Sequence, residues 1–383
     1  MTPILPGATL GMLGSGQLGR MFAIAARRLG YRVEVFSPDR DTPAGQVADV
    51  EWVHPYDDFK AVDQFARGVD VVTLEFENID VACVERIEQQ APVRPGALTL
   101  RTAQHRSREK TALRKMGLST APFRLIRSAE ELKVGLAEFG EGILKTAAFG
   151  YDGKGQQRLH GNEDAGQVWS DFATDEAVLE GFVDFRCEFS VIGVRGANGD
   201  FRAYAPILNT HHNHILDVSV SPAAEIPTAV GERAIEMTRT VMTQLDTIGV
   251  LCVEFFLTQD QEPIINEIAP RPHNSGHLTI DAHVSCQFEQ QVRAICGLPL
   301  GSVAQRQPAA MANLLGDVWP EGGLPNWVAA LAQPRVKLHL YGKQEARAGR
   351  KMGHLTALGD SAAAAVALAT SAREMLQAGG GTT

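Results

Sequence analysis

The sequence predicts an α/β protein that opens with a Rossmann-like parallel βαβ domain. Three observations predict this class: an apolar strand leading through a glycine-rich turn into an amphipathic helix, a β-rich middle, and a mixed C-terminal segment with an alanine-rich helix. The 383 residues exceed one typical domain. This length suggests two or three domains. The succession of strand and helix patterns divides the chain into four segments, namely residues 1–104, 105–178, 179–300 and 301–383.

The first segment alternates strand and helix patterns. The stretches ATLGMLG, YRVEVF and VDVVTLEFEN are predicted strands, and the helix between the first two ends at Gly30. The apolar side chains at helical spacing in that helix are Leu18, Met21, Phe22, Ala25 and Leu29. Strands joined by helical crossovers favour a parallel sheet.

A glycine turn precedes this helix. Gly14, Gly16 and Gly19 form G-x-G-x-x-G, and Asp39 follows at the end of the second predicted strand. This spacing is typical of a dinucleotide-binding fingerprint. Backbone N–H groups at a helix N-terminus also bind other anions. The turn therefore leaves open whether the ligand is NAD or another phosphate-bearing molecule.

Composition and charge exclude several classes of protein. The net charge of -9 argues against a general nucleic-acid surface. The five cysteines form no C-x-x-C pair and are expected to be reduced thiols. The sequence shows no signal-peptide pattern and no apolar run of membrane-spanning length. We expect a cytoplasmic protein without nucleic-acid or membrane partners.

Two acidic residues lie in neighbouring apolar strands. Glu254 is the single acid of VLCVEFFL, and Glu267 is that of IINEI. A hairpin turn centred between Asp260 and Gln261 would place the two glutamates opposite each other, where like charges destabilise a sheet by up to about 1 kcal/mol. A cation reverses that effect, and Mg²⁺ is commonly held by one or two carboxylates plus phosphate oxygens. The alternative is a solvated acidic face, which the apolar flanks disfavour.

A second glycine-rich loop follows an apolar strand that ends at Lys145. Gly150, Gly153 and Gly155 punctuate it, with Lys154 between the last two. Glycines let backbone N–H groups approach phosphate oxygens, and lysines neutralise phosphate charge. The loop lacks the Walker pattern, which disfavours a P-loop NTPase. A surface hairpin without a ligand is the alternative.

In combination, these motifs resemble those of the ATP-grasp superfamily. The chain carries HRSREK with Arg106 and Lys110, GYDGKGQ after Lys145, EGFV, and a hairpin that continues into NEIAPRPHNSGH, in that order. With GSGQLGRM, EFENID and YGKQEARAGRKMGH added, it is similar over nearly its whole length to the 5-(carboxyamino)imidazole ribonucleotide synthases of purine biosynthesis. The resemblance implies an ATP-grasp fold, in which residues 105–178 form the lid subdomain and residues 179–300 the large subdomain with the Mg-ATP site, followed by a small mixed C-terminal domain.

The resemblance also implies a reaction. ATP phosphorylates bicarbonate to carboxyphosphate, which supplies CO₂ to the exocyclic amine of 5-aminoimidazole ribonucleotide. The products are the N-carboxylated ribonucleotide, ADP and phosphate. The implied cofactors are ATP and Mg²⁺, with Mn²⁺ as the alternative ion, and the implied metal ligands are Glu254 and Glu267. A homodimer is expected from the family alone.

The same resemblance implies an ATP site. The matching positions are Arg106, Lys145, Gly150, Tyr151, Asp152, Gly153, Lys154, Gly155, Gln156, Glu180, Gly181, Phe182, Val183, Glu188, His211, Asn266 and Glu267. Within this set, the glycine loop closes over the phosphates, residues 180–183 form the adenine hinge, and Glu188 contacts the ribose. Phosphoryl transfer consists mostly of positioning and charge cancellation, which these residue types can supply.

Substrate and catalytic residues are implied beside the ATP site. Substrate contacts are expected at Gly16, Gln17, Leu18, Arg271, Asn274, Ser275, Lys343, Arg350 and Lys351, and catalytic roles at Arg271, His273, Lys351, Tyr151 and Asp152. Tyr151 and Asp152 are expected to orient bicarbonate or the amine. The basic stretch with Lys343, Arg347, Arg350 and Lys351 matches a ribose phosphate and an anionic intermediate, and a solvated basic loop is the alternative.

One position departs from the family pattern. His105 stands where an Asp or Asn usually precedes the arginine that matches Arg106, so a group that would orient the arginine is missing. The histidines of HHNH (residues 211–214), and His273 with His277, lack the helical context of zinc ligands.

Other functions remain open from the residues alone. A formate-dependent glycinamide ribonucleotide transformylase or a biotin carboxylase would keep the fold but change the acceptor. An NAD-dependent oxidoreductase would use the glycine turn, and a non-catalytic nucleotide-binding regulator would not need the paired glutamates. By resemblance, YGKQEARAGRKMGH favours the aminoimidazole enzyme.

Overall fold

The computed structural model describes residues 2–148, 155–320 and 323–377. Within these residues the strands form three sheets. No helix in this part of the chain has the length and apolar character that a membrane crossing requires.

The N-terminal domain contains a four-stranded parallel sheet. Its elements are β1 (Thr9–Leu13), α1 (Gln17–Arg28), β2 (Arg32–Ser37), β3 (Val50–Val53), α2 (Phe59–Gly68), β4 (Val71–Leu74), α3 (Val81–Glu88) and α4 (Ala97–Ala103). The strand order is β3-β2-β1-β4, which confirms the predicted parallel βαβ domain. The sequence prediction missed β3, a four-residue strand that is partly exposed and lacks a clear apolar pattern.

A small antiparallel sheet follows. The elements of this region are α5 (Arg106–Lys115), β5 (Phe123–Ile126), α6 (Ala129–Phe139), β6 (Gly142–Thr146), β7 (Gln156–Leu159), α7 (Ala165–Phe172) and β8 (Ala177–Gly181). The strand order is β5-β8-β6-β7. The predicted division between residues 178 and 179 falls inside β8. Because β8 pairs with both β5 and β6, the whole strand belongs to this sheet.

The third sheet has nine strands and is the largest. The elements are β9 (Phe185–Arg195), β10 (Phe201–Ala203), β11 (Ile207–His212), β12 (Ile215–Ser221), α8 (Thr228–Gln244), β13 (Gly249–Thr258), β14 (Pro263–Ala269), α9 (Thr279–Ala282), α10 (Gln287–Ile295), β15 (Ala309–Leu315), α11 (Trp327–Leu331), β16 (Val336–Leu340), β17 (Lys351–Leu358) and α12 (Ala362–Gln377). The order is β14-β13-β9-β11-β12-β15-β17-β16, with β10 beside β9. The C-terminal strands therefore continue the large sheet, because β15 pairs with β12.

Helices α1 and α10 join the N-terminal domain to the large sheet. Phe22 of α1 shares one buried cluster with Phe288, Val292 and Ile295 of α10, and with Tyr341 after β16. Burial of apolar side chains of this size contributes roughly 1.5–3 kcal/mol each. The glycine turn leads directly into α1, and the loop after β14 leads to α10. By packing α1 against α10, the cluster brings the turn and the loop close to each other.

Candidate active site

The hairpin β13–β14 carries both predicted metal ligands. Glu254 lies directly opposite Glu267, as predicted. The residue pairs nearest the turn show that the turn is centred on Asp260, and not between Asp260 and Gln261 as predicted. Asn266 has no partner in β13, and is therefore an extra residue in β14 at a β-bulge. The bulge shifts the register by one residue and brings the two carboxylates, which we call the carboxylate pair, to one face.

Each member of the carboxylate pair has a cationic neighbour. Arg106 Nη1 lies 3.2 Å from Glu267 Oε2, and His273 Nε2 lies 2.9 Å from Glu254 Oε1. Burial would raise the pKa of Glu254, but His273, His211 and Arg271 together hold that pKa well below its usual value. Glu254 is therefore ionised at neutral pH.

The carboxylate pair forms a partial site for a hard divalent cation. In residues 2–148, 155–320 and 323–377, no group of three His, Cys, Asp or Glu side chains has the arrangement of a metal site. Two carboxylates leave most octahedral positions to other ligands, and Mg²⁺ in nucleotide enzymes fills those positions with phosphate oxygens and water. The donor set fits a cation that binds together with a nucleotide.

A buried group of charges lies between α5 and the small sheet. Glu180 Oε2 is 3.0 Å from Lys145 Nζ and 3.4 Å from Lys110 Nζ, and Lys110 also donates to the Asn266 carbonyl at 2.7 Å. We call Lys110, Lys145 and Glu180 the lysine cluster. Burial would raise the pKa of Glu180, but the two lysines lower it to about 2. The cluster therefore places two cations beside the carboxylate pair.

Lys110 was missed as a site residue. It occurs in the HRSREK motif four residues after Arg106, so the two side chains share one face of α5. Its side chain is fully buried, which is rare for a lysine unless it is paired. The motif and the helical spacing together were the signal that could have found it.

The predicted adenine hinge follows the lysine cluster in the chain. The backbone N–H of Gly181 donates to Pro122 and that of Phe182 donates to Glu141, at 2.8 and 3.0 Å. These two donors are therefore engaged within the protein. If residues 180–183 bind adenine as predicted, the adenine edge must bond to backbone groups of this segment other than the N–H groups of Gly181 and Phe182.

Two predicted nucleotide contacts meet on the large sheet. His211 Nδ1 of β11 lies 2.5 Å from Glu188 Oε2 of β9. Burial would lower the pKa of His211, but the Glu188 carboxylate raises it. The histidine of HHNH that lies in the site is thus paired with a carboxylate.

The glycine turn binds an anion that belongs to the protein. Glu75, at the end of β4, accepts hydrogen bonds from the N–H groups of Gly16 and Gly19, the latter at 2.7 Å. Burial raises the pKa of Glu75, and the two backbone donors oppose that shift. The Leu18 side chain packs in the core. The Gly16 N–H and the Leu18 side chain are thus engaged within the protein and Gln17 is half-exposed, and the substrate contacts expected at these three residues stay predictions.

We call residues 270–277, between β14 and α9, the catalytic loop. Arg271 Nε forms an ion pair with Glu77 Oε1 at 2.9 Å, which ties the loop to the N-terminal domain. Gln287 accepts from the His273 N–H and donates to the His273 carbonyl, both at 2.8 Å. These bonds hold the loop backbone beside the carboxylate pair.

Two further predicted substrate residues of this loop differ in their surroundings. The side-chain oxygen and nitrogen of Asn274 are buried and have no hydrogen-bond partner among the described residues. Such an amide is satisfied when a ligand or water binds beside it. Ser275 is fully buried, and its hydroxyl lies 2.7 Å from that of Ser190 and 2.9 Å from His273 Nδ1. The hydroxyl is thus engaged within the protein, and the substrate contact expected at Ser275 stays a prediction.

Three family models match consecutive parts of the chain. The ribonucleotide synthetase preATP-grasp domain matches residues 7–104, the ATP-grasp domain matches residues 111–288, and the phosphoribosylaminoimidazole carboxylase C-terminal domain matches residues 309–367. The N5-carboxyaminoimidazole ribonucleotide synthase of Brucella melitensis is 43% identical over 93% of this chain and 97% of its own length. The chain belongs to the N5-carboxyaminoimidazole ribonucleotide synthase family.

Solved structures of related synthases have the same fold. A crystal structure of an N5-carboxyaminoimidazole ribonucleotide synthetase in complex with ADP has a TM-score of 0.90 and 42% identity, covering 97% of this chain and 98% of that one. The Aspergillus clavatus synthase, solved with ADP and 5-aminoimidazole ribonucleotide, has a TM-score of 0.87 and 30% identity, covering 96% and 98%. Family membership decides for an ADP-forming carboxylating ligase over a dinucleotide-dependent oxidoreductase.

Part of this synthase's predicted ATP site lies outside the described residues. These positions are Gly150, Tyr151, Asp152, Gly153 and Lys154. On the described side of the loop, Thr146 N–H donates to the Gly155 carbonyl at 2.8 Å, and Gln156 begins β7. Gly155 has φ +70, a conformation that favours glycine.

The basic stretch of the synthase divides into two parts. Lys343 is half-buried and donates to the Lys351 carbonyl at 2.7 Å. Burial raises the pKa of Glu75, and Lys343 lies close enough to that carboxyl to oppose the rise. Arg347 is 72% exposed and pairs with Glu345, whose carbonyl accepts from Arg350 at 2.9 Å. Lys343 therefore lies near the glycine turn, whereas Arg347 is exposed to solvent and Arg350 is half-buried.

His105 does not leave Arg106 without a partner. The Arg106 guanidinium is held by Glu267, whereas His105 Nδ1 lies 2.7 Å from Ser107 Oγ, and its Nε2 lies 3.7 Å from Glu176. The group that orients the arginine thus comes from the hairpin and not from the preceding residue.

Proposed function

We propose that this protein carboxylates the exocyclic amine of 5-aminoimidazole ribonucleotide, using ATP and bicarbonate through carboxyphosphate and releasing ADP and phosphate. The observation that carries the proposal is the carboxylate pair, which has the lysine cluster on one side and the catalytic loop on the other. The cations of the lysine cluster suit the phosphates of a nucleoside triphosphate, and the catalytic loop suits an anionic acceptor. The complex of the Aspergillus clavatus synthase with ADP and the aminoimidazole ribonucleotide supports both ligands.

On the nucleotide side, the described residues offset phosphate charge. Lys145, Lys110 and Arg106 converge on carboxylates that flank the proposed phosphate position. Residues 180–183 remain the proposed adenine hinge, and the Glu188–His211 pair is the proposed ribose contact. Because phosphoryl transfer depends on positioning and charge cancellation, these fixed cations are the main contribution of the chain.

The carboxylate pair is the proposed Mg²⁺ site, with Mn²⁺ as the alternative ion. A bound ion would supply charge stabilisation for the transferred phosphoryl group. Arg106 and His273 orient the two carboxylates, and Asn266 at the bulge gives its carbonyl to Lys110. One short segment of β14 thereby links the metal ligands to the lysine cluster.

On the acceptor side, the proposed contacts surround the catalytic loop. Arg271 and His273 supply positive charge for bicarbonate and carboxyphosphate, and the buried Asn274 amide offers an unsatisfied donor and acceptor. Lys343, Arg350 and Lys351 are the proposed contacts for the acceptor's phosphate. The remaining proposed substrate contacts are Gly16, Gln17 and Leu18 at the glycine turn and Ser275 in the catalytic loop. Carboxyphosphate hydrolyses readily, so exclusion of water by closure of the loop with Tyr151 and Asp152 is part of the proposal.

Three broader proposals accompany this function. The first is that the chain has the four segments predicted from the sequence, in the same order, with the boundary between the second and third segments moved from residue 178 to a position after Gly181. A homodimer and a cytoplasmic location are inferred from the reaction and the family. The oligomer can be checked by light scattering on the purified protein.

The proposed function is tested by the dependence of ADP release on both acceptors. Purified protein is incubated with MgATP and all four combinations of bicarbonate and 5-aminoimidazole ribonucleotide, and ¹³C-bicarbonate incorporation into the ribonucleotide is followed by NMR. We expect labelled carbamate only when both are present. ADP release that ignores both, or that requires formate and glycinamide ribonucleotide instead, would overturn the proposal.

A further inference from the structure

A loop that carries the proposed phosphate contacts of the acceptor joins β16 to β17. We call residues 341–350 the basic loop. It contains Lys343 and Arg350, and Lys351 follows as the first residue of β17. Ordering flexible side chains at the moment of binding lowers affinity, so a phosphate is bound more tightly when its contacts are already held in place. The segments that hold the loop backbone therefore bear on how tightly the acceptor binds.

The beginning of the basic loop is held by the N-terminal domain and by β17. The Gln46 side-chain amide donates to the Gly342 carbonyl at 2.9 Å, and Lys343 Nζ donates to the Lys351 carbonyl at 2.7 Å. This end of the loop is thus tied to the domain that carries the glycine turn.

The far end of the basic loop rests on Gly316 and Asp317, which directly follow β15. The Gly316 N–H donates to the Arg350 carbonyl at 2.9 Å, and the Asp317 carboxylate accepts from the Gly349 N–H at 2.8 Å. Within the loop, the Arg350 N–H donates to the Arg347 carbonyl at 2.9 Å, which closes the turn between them. Two adjacent residues from a distant part of the sequence thus fix the loop backbone where it enters β17.

Gly316 also makes room for the basic loop. A methyl group on its Cα would lie 2.6 Å from the carbonyl carbon of Arg347, whereas unstrained carbon atoms stay about 3.5–4.0 Å apart. Because the neighbour is backbone, rotation of a side chain cannot relieve the overlap. The φ angle of Gly316 lies outside the left-handed region, so the close approach of the loop is what requires glycine at this position.

We propose that Gly316 and Asp317 are positioning residues, which hold the basic loop so that Lys343, Arg350 and Lys351 converge on the phosphate group of the acceptor. The proposal rests on the function proposed above, which supplies the ribonucleotide as acceptor. Gly316 permits the close approach of the loop, and Asp317 binds its backbone. Neither residue acts as a phosphate contact, because Gly316 has no side chain and a carboxylate repels a phosphate.

The first test compares two buried glycines at which an added methyl group would overlap backbone atoms. Gly316→Ala displaces the basic loop, whereas Gly359→Ala places a methyl group 2.6 Å from the backbone nitrogen of Ala365, in the first turn of α12. Calorimetry measures the binding of 5-aminoimidazole ribonucleotide and of its riboside, which lacks the phosphate.

We expect Gly316→Ala to weaken binding of the ribonucleotide by roughly tenfold, because charge-assisted bonds to the phosphate are misaligned. Binding of the riboside and KM for ATP should stay unchanged. Gly359→Ala should bind both ligands as the wild type does. Wild-type affinity of Gly316→Ala for the ribonucleotide, or an equal loss for both ligands, would overturn the proposal.

The second test removes the carboxylate and keeps Gly316, so it also serves if Gly316→Ala does not fold. Asp317→Ala takes away the acceptor of the Gly349 N–H, and Asp164→Ala is the matched control, because this exposed carboxylate accepts from the Gly166 N–H at the same 2.8 Å. Hydrogen exchange of the ligand-free protein is followed by mass spectrometry, together with ribonucleotide binding.

We expect faster exchange in the basic loop and weaker ribonucleotide binding in Asp317→Ala, and wild-type behaviour of both in Asp164→Ala. Wild-type exchange and wild-type binding in Asp317→Ala would overturn the role of Asp317. A wild-type protein that binds the ribonucleotide but does not carboxylate it would refute the proposed function and would leave this proposal standing.

Discussion

Glu267 faces Glu254 because Asn266 is an extra residue in β14. Without this bulge, Asn266 would lie opposite Glu254, and Glu267 would turn to the other face of the sheet, since side chains alternate along a strand. The bulge also directs the Asn266 carbonyl toward Lys110. A single irregularity in a strand thus sets both the carboxylate pair and its link to the lysine cluster.

We expect Glu267→Gln to lower kcat by ~100-fold and to raise the Mg²⁺ concentration needed for activity, because the amide cannot bind a hard cation as a carboxylate does. Initial rates over a Mg²⁺ titration measure both effects. Glu262→Gln is the matched control, since Glu262 lies in the same hairpin but is 59% exposed. Wild-type turnover by Glu267→Gln would exclude Glu267 as a metal ligand.

Lys110→Met should lower the unfolding free energy by about 3 kcal/mol and raise KM for ATP, because Glu180 loses one of two buried cations and the Asn266 carbonyl loses its donor. Urea unfolding and ATP-dependent kinetics measure the two effects. Lys115→Met changes an exposed lysine of the same helix, and it should leave both the unfolding free energy and KM for ATP unchanged. If both variants behave alike, the lysine cluster does not support the nucleotide site.

Glu75→Gln should cost about 2 kcal/mol of stability, because an amide NH₂ replaces one of the two oxygens that accept from the glycine turn. The same change should raise KM for the aminoimidazole ribonucleotide and leave KM for ATP unaltered. Glu85→Gln, at a carboxylate that is 49% exposed, serves as the control. An unchanged urea midpoint in Glu75→Gln would show that the turn does not depend on this carboxylate.

Stability should fall between pH 6.5 and pH 4 through His283. Burial lowers the pKa of His283 from 6.5 to about 4, so the unfolded chain takes up a proton in this range before the folded protein does. The unfolding free energy is therefore about 3 kcal/mol lower at pH 4 than at neutral pH, and His283 causes no loss above pH 7. Urea unfolding at several pH values should show a smaller acid loss in His283→Gln. The exposed His212→Gln control should keep the wild-type slope, and equal slopes in all three proteins would refute this origin.

Local patterns predicted the parts of the site that depend on neighbouring residues. The helix after the glycine turn buries Leu18, Met21 and Phe22, as its spacing predicts, and the two glutamates pair across a hairpin. The bulge at Asn266 could not be predicted, because nothing in the apolar pattern of β14 marks an extra residue. The partner of the Ser275 hydroxyl could not be predicted for a related reason, because it is Ser190, which lies on a strand distant in the sequence.

By itself, the sequence determined the parallel βαβ unit and the family, since these follow from short-range periodicity and from the order of motifs. It also predicted the facing glutamates, but from a different turn centre, and it is the bulge at Asn266 that makes the two residues face each other. Only the tertiary structure decided which anion occupies the glycine turn, where Glu75 comes from 59 residues away. It also decided that Lys110 and Lys145 share Glu180, and that a buried chain of hydroxyls reaches His273. The physical reason is that a buried charge or hydroxyl must find a partner, and that partner is supplied by whichever distant segment the fold packs against it.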